Sequence, residues 1–254
     1  MTLRFSSILF CALTMLTYTQ CTAHPNDQTR TLIQSTQPED IAIAVDLHNV
    51  LLLESKTGMV KKGADVFWQM PLKDKARCLK RLALFGLNKV THYNKEKLAI
   101  EHAAVRGSNE QLNTDMLKLI NPHVLDEQMV TLLRSLKQRG HLLFVYSNIG
   151  HLSWEQYVQE YPVLTTLFDG VRVCSPRNGY TTKEFPAAAQ QLRTMIVQQC
   201  KKQQRTIPKH TIIVDDSMSK IGVAVGTNNA SAATNYSGYL FSDRATFARD
   251  FKLA

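Results

Sequence analysis

Residues 41–51 read Ile-Ala-Ile-Ala-Val-Asp-Leu-His-Asn-Val-Leu, and the first six decide the fold. Five apolar residues, Ile41 to Val45, run without interruption and stop at Asp46. A strand with one wet face alternates apolar and polar side chains. An unbroken run of this length predicts a strand covered on both faces, as in a parallel sheet. Three further stretches have the same character: 142–146 (LLFVY), 171–174 (VRVC) and 211–214 (TIIV). Helix-length segments lie between them. Val124, Met129, Leu132, Leu133 and Leu136 form an apolar stripe at three-to-four spacing, which predicts a helix over 124–139 stopped by Gly140. Strands alternating with helices imply right-handed βαβ units and hence an open α/β sheet of Rossmannoid type. A last strand is expected near 237–241, followed by a short helix.

The 254 residues suffice for one large domain or for a domain carrying an insertion. With 44% hydrophobic and 20% charged residues the chain can bury a substantial core, which excludes a disordered or collagen-like protein. The net charge of +9 favours anionic partners such as phosphate esters. Its basic residues are spread through the chain without a dense arm, which argues against nucleic acid as a partner.

Residues 1–23 read as a signal peptide outside the fold. Arg4 supplies a short positive region, and the apolar run 8–16 is shorter than the roughly 20 residues a membrane span requires. Cys21-Thr22-Ala23 places cleavage after Ala23, which implies export to a periplasm or beyond and no stable membrane insertion afterwards. Modification of Cys21 as a lipoprotein is a secondary reading, because Tyr18-Thr19-Gln20 is bulkier than such sites usually allow. Cys78, Cys174 and Cys200 then remain, an odd and widely spaced set that is no disulfide framework and no zinc site. Residues 24–40 are polar with Pro25 and Pro38, and read as a linker.

One interval breaks the α/β rhythm. Residues 56–120 are rich in Lys, Leu and Ala, with helices expected over 72–85, 94–106 and 109–120. They read as a helical cap inserted after the first strand, so that 41–55 and 121–254 form the core.

In open α/β sheets a ligand sits beyond the carboxyl ends of the strands. The residues found there are Asp46 after IAIAV, Ser147-Asn148 after LLFVY, and Asp215-Asp216 after TIIV. Any one of these could be a loop residue or a helix cap. Together and in this order they resemble the motifs of the haloacid dehalogenase (HAD) superfamily, whose members are mostly phosphohydrolases. Asp46-Leu47-His48-Asn49-Val50-Leu51 is similar to the first motif, Asp-x-Asp-Gly-Thr/Val-Leu, Ser147 to the second, and Asp215-Asp216-Ser217 to the acidic fourth. The stretch from Leu167 resembles the segment bearing the third, which makes Lys183 its basic residue. The insertion falls where the family carries a C1-type helical cap.

The resemblance implies that Asp46 attacks phosphorus and forms an aspartyl phosphate. A carboxylate ~3 Å from a dianionic phosphate meets repulsion on the order of 10 kcal/mol at an effective dielectric of 20. Mg²⁺ and the Lys183 ammonium would offset it. Asp46, Asp216 and the main-chain carbonyl of His48 are the implied metal ligands, with Asp215 orienting the metal site or Lys183. The Ser147 hydroxyl and the region of Asn148 would donate to the phosphoryl oxygens of a small phosphate ester. Two departures stand out. His48 occupies the place of the family's second Asp, its acid–base group, and Lys183 lies in Gly179-Tyr180-Thr181-Thr182-Lys183-Glu184, one residue longer than the usual Gly-x-x-Lys-Pro. They keep open a haloacid dehalogenase, which needs no metal, and a catalytically inactive scaffold that binds a ligand or a partner protein. His151, just past Ser147-Asn148, is within reach of a substrate, whereas His92, His102, His123 and His141 read as surface or packing residues. The oligomeric state is not written in these motifs.

Overall fold

The computed structural model describes residues 25–53, 64–76, 79, 118, 123–229 and 232–253. The signal peptide expected over 1–23 lies outside them, as does most of the expected cap, of which 64–69 and 72–76 are helical. Chain order gives α1 (Pro25–Ser35), β1 (Ile41–Val45), β2 (Leu52–Leu53), β3 (Val124–Leu125), α2 (Glu127–Gln138) and β4 (Leu142–Gly150). Then come α3 (His151–Glu160), α4 (Val163–Leu167), β5 (Gly170–Cys174), α5 (Pro186–Gln203), β6 (His210–Asp215), α6 (Met218–Val225), β7 (Asn235–Leu240) and α7 (Arg244–Asp250).

Five strands form one parallel sheet in the order β5-β4-β1-β6-β7, flanked by helices, which is the α/β architecture expected from the sequence. Its central strand β1 is buried along its whole length, as the unbroken apolar run predicts. Ile41, Ile43 and Val45 face a core layer with Met129, Leu133 and Leu136 of α2. Ala42 and Ala44 face the other layer, with Leu192 and Ile196 of α5 and Ile221 of α6. Small residues on that side let two helices approach the sheet closely. Because β1 lies between β4 and β6, the ends of the three motif-bearing strands are neighbours.

Two expectations need correction. The helix read over 124–139 begins at Glu127, with Asp126 as its N-cap accepting from the N–H groups of Gln128 and Met129. Val124 and Leu125 instead pair antiparallel with Leu53 and Leu52. This two-stranded ribbon joins both ends of the inserted segment at the sheet. The stretch 24–40 is not a linker. Residues 25–35 form α1, which lies against the edge strand β7. Asn26 donates its amide to the carbonyl of Leu240 at 3.0 Å and accepts the Leu240 N–H at 2.7 Å. Thr29 donates to the carbonyl of Gly238, and Arg30 pairs with Asp250 at 2.8 Å. A side-chain amide thus takes the place of a neighbouring strand and covers an edge otherwise open to pairing. Composition misled here because polar residues, at helical spacing, perform the docking. Among the described residues no helix is long and apolar enough to cross a membrane.

Gly238 sets how closely α6 sits on the sheet. A β-carbon there would lie 2.2 Å from Cγ2 of Ile221, a branched methyl with no room to turn away. Gly238→Ala therefore lifts α6 and costs about 1–3 kcal/mol of overpacking. Urea unfolding monitored by circular dichroism should show the midpoint fall with an unchanged slope.

Candidate active site

Asp46 continues β1 past its last apolar residue. Its N–H donates to the Val214 carbonyl at 2.9 Å, and its carboxylate Oδ1 accepts the Leu47 N–H at 2.7 Å. The next turn closes with the N–H groups of Leu51 and Leu52 on the Leu47 carbonyl, while Leu47, Val50 and Leu51 are buried beneath it. Asn49 takes the left-handed backbone (φ 60°), a conformation Asn tolerates better than most residues. From there its amide donates to Asp216 Oδ2 at 2.7 Å.

Lys183 lies at the centre. It is fully buried, and its ammonium is 2.7 Å from Asp46 Oδ2 and hydrogen-bonded to Asp215 Oδ2. Burial opposes its charge, but Asp46 and Asp215 outweigh that and hold its pKa above the ordinary value. For Asp46, burial opposes ionisation, and Lys183, Lys220 and a hydrogen bond from Ser147 overcome it, so the carboxylate titrates below the usual range. Asp215 goes the other way. Burial and the adjacent Asp46 charge push it up to about 7 despite Lys183. The environment thus separates two neighbouring carboxylates, one firmly ionised and one holding a proton near neutrality.

The motif residues Asp46, Ser147, Lys183, Asp215 and Asp216 are brought to one end of the sheet. Ser147 is buried. The Asn148 side chain is engaged within the protein. Its Oδ1 accepts the Lys183 N–H at 2.7 Å and its amide donates to both Glu184 oxygens at 3.0 and 3.2 Å. It clamps the loop that carries Lys183, so its side chain is not directed to a phosphoryl group. His151 lines a separate cleft of about 680 Å³ with Arg172, Arg177 and Gln191.

His48 stacks on His123, with ring centroids 4.3 Å apart and planes 22° from parallel. His123 Nδ1 lies 2.9 Å from the Tyr157 hydroxyl. Burial, helped by the His123 charge, pushes the His48 pKa down to about 4, so at pH 7 the ring is neutral and accepts a proton rather than donating one. Sequence reading missed His123, a packing histidine by default, and also Asn49 and Lys220. The signal for Lys220 was its position one helical turn beyond Asp216.

Asp46, Asp215 and Asp216 each bring a carboxylate oxygen within 4.8 Å of the other two. Hard, anionic oxygens at this spacing suit a small divalent cation such as Mg²⁺. The ammoniums of Lys183 and Lys220 face Asp46 and Asp215, while Asp216 accepts from Asn49 and has no ion pair among the described residues.

No protein-family model and no curated protein matches the chain. Solved structures do resemble it. The HAD-hydrolase YfnB from Bacillus subtilis, bound to magnesium, is 13% identical over 83% of this chain and 98% of its own, with a TM-score of 0.47. A HAD family enzyme from Bacteroides thetaiotaomicron is 14% identical over 81% and 97%, at 0.46. A HAD-superfamily hydrolase from Ehrlichia chaffeensis is 14% identical over 86% and 98%, at 0.42. By description two are HAD hydrolases and the third is a HAD family enzyme. At this distance in sequence, what the present site can do is decided by its own atoms.

Lys183→Met strands two buried carboxylates without their cation and should cost roughly 3–5 kcal/mol at pH 7. Those carboxylates would then titrate above their unfolded values, so the variant's stability should fall as the pH rises and recover in acid. Denaturant melts across pH 4–8 measure both. His48 gives the opposite slope in the wild type. The unfolded chain protonates near 6.5 and the folded one near 4, so this contribution is complete above pH 6.5 and is lost as the pH falls toward 4. It amounts to on the order of 3 kcal/mol. The same melts on His48→Gln should lack that component.

Proposed function

We propose that the chain is an exported, Mg²⁺-dependent hydrolase of a small phosphorylated metabolite, with Asp46 as nucleophile. One observation carries it: the buried Lys183 ammonium joins Asp46 to Asp215 at adjacent strand ends. A cation fixed there keeps Asp46 ionised and offsets the repulsion that a phosphate dianion would meet.

In this reaction an Asp46 carboxylate oxygen forms a bond to phosphorus, and the ester P–O bond breaks as its electron pair leaves with the alcohol oxygen, which takes a proton from solvent water. Lys183 and the Ser147 hydroxyl orient Asp46, and the hydroxyl is close enough to the carboxylate to turn toward an incoming phosphoryl oxygen. Water then attacks phosphorus, releasing phosphate and restoring the carboxylate. His48, neutral near pH 7, is suited to accept the proton of that water. Mg²⁺, held by Asp46, Asp215 and Asp216, would supply charge neutralisation at the phosphoryl oxygens. Export is supported by the apolar run 8–16 and the small residues before His24.

A second reading is favoured by the same histidine. A ring neutral at pH 7 cannot protonate an alcohol leaving group, which suits a scaffold that binds phosphate esters without cleaving them. A phosphate-release screen over many esters, with and without Mg²⁺ and beside Asp46→Asn, separates the two. Hydrolysis requires metal-dependent release that the substitution lowers by roughly a thousandfold or more. Binding of Mg²⁺ with no release from any ester would establish the scaffold, and halide release that survives EDTA would establish dehalogenation.

A further inference from the structure

Lys220 sits in the first turn of α6, where the helix dipole disfavours a positive charge. Its ammonium is nevertheless directed at the carboxylates, 3.8 Å from Asp46 Oδ2 and 4.0 Å from Asp215 Oδ1. Those distances exceed hydrogen-bond contact, so its hold is electrostatic and loose. Its side chain is 27% exposed, whereas Lys183 is wholly buried. The two lysines therefore differ in kind. Lys183 is locked between two strand ends, and Lys220 reaches the same two carboxylates, sharing Asp46 Oδ2 but approaching the other oxygen of Asp215, on a flexible, partly exposed stem.

A divalent cation held by Asp46, Asp215 and Asp216 needs oxygens that Lys220 already approaches. A unit positive charge and a divalent ion a few ångströms apart repel strongly even in a polar site. Lys220 must then swing outward as the ion enters, and its exposed stem permits this.

We propose that Lys220 is a built-in counterion that competes with the divalent cation for Asp46 and Asp215, weakening cation affinity and moving toward solvent when the cation binds. This rests on the divalent-cation part of the function proposed above, and its test reads cation affinity rather than turnover. Isothermal titration calorimetry with MgCl₂, on the full mature chain without phosphate, compares wild type with Lys220→Met, Lys220→Gln and Lys220→Arg. Lys202→Met, an exposed lysine of α5, serves as control. The two neutral variants should bind Mg²⁺ at least tenfold more tightly, while Lys220→Arg and Lys202→Met stay within twofold of wild type. Neutral variants within twofold of wild type would overturn the competition and leave the hydrolase proposal standing. Absence of Mg²⁺ binding in wild type and all variants would overturn both the competition and the metal requirement. A thermal melt of each variant confirms that it folds, and the Met and Gln versions check each other.

Discussion

A lysine ammonium without solvent contact is the constraint on which the rest of this molecule depends. Withdrawing such a charge from water costs several kcal/mol, and only close anionic partners offset it. Lys183 finds them in Asp46 and Asp215, which requires β1 and β6 to be neighbours, in register, and ended by carboxylates. It also requires the loop after β5 to reach across β4. That loop is held by the Asn148 clamp and by Arg172, whose guanidinium donates to the Thr181 carbonyl. Fold and site are thus one electrostatic arrangement, and loosening either disturbs the other.

The charge pattern around that lysine gives the centre its chemical character. Asp46 is kept ionised while the adjacent Asp215 is pushed toward neutrality, so the two neighbouring carboxylates differ in charge. Asp216 is exposed and tied only to Asn49, which leaves it open toward solvent. A fully buried ammonium and a half-buried one enclose these acids from opposite sides. Such asymmetry suits a site that must both retain its own charge and admit an ion and an anion from solution.

Support for the site comes from layers well away from it. Ala42 and Ala44 let α5 and α6 close on the sheet, and Gly238 does the same for the outer side of α6. On the far edge α1 substitutes side-chain amides for a missing strand, which fixes β7 and through it β6. The ribbon of Leu52–Leu53 with Val124–Leu125 anchors both ends of the inserted segment directly beyond Asp46.

The sequence by itself determined the layered α/β core and the acidic strand ends. Unbroken apolar runs have one stable home, between two helical layers, and a carboxylate ending such a run must lie at the rim of the sheet. It therefore placed Asp46, Ser147, Asp215 and Asp216 at one rim of the sheet, whereas Lys183 followed from the family resemblance alone. Only the tertiary structure decided how each is used. The Asn148 side chain became a loop clamp because Lys183 and Glu184 come within its reach. His48 became a neutral, stacked ring because the fold buries it and brings His123, far away in sequence, against it. Residues 25–35, within a stretch whose composition suggested a linker, became a helix because a strand edge offered partners to polar side chains. Strand patterns are local and survive in a linear reading. Protonation, pairing and docking depend on neighbours brought together by folding, which no spacing along the chain encodes.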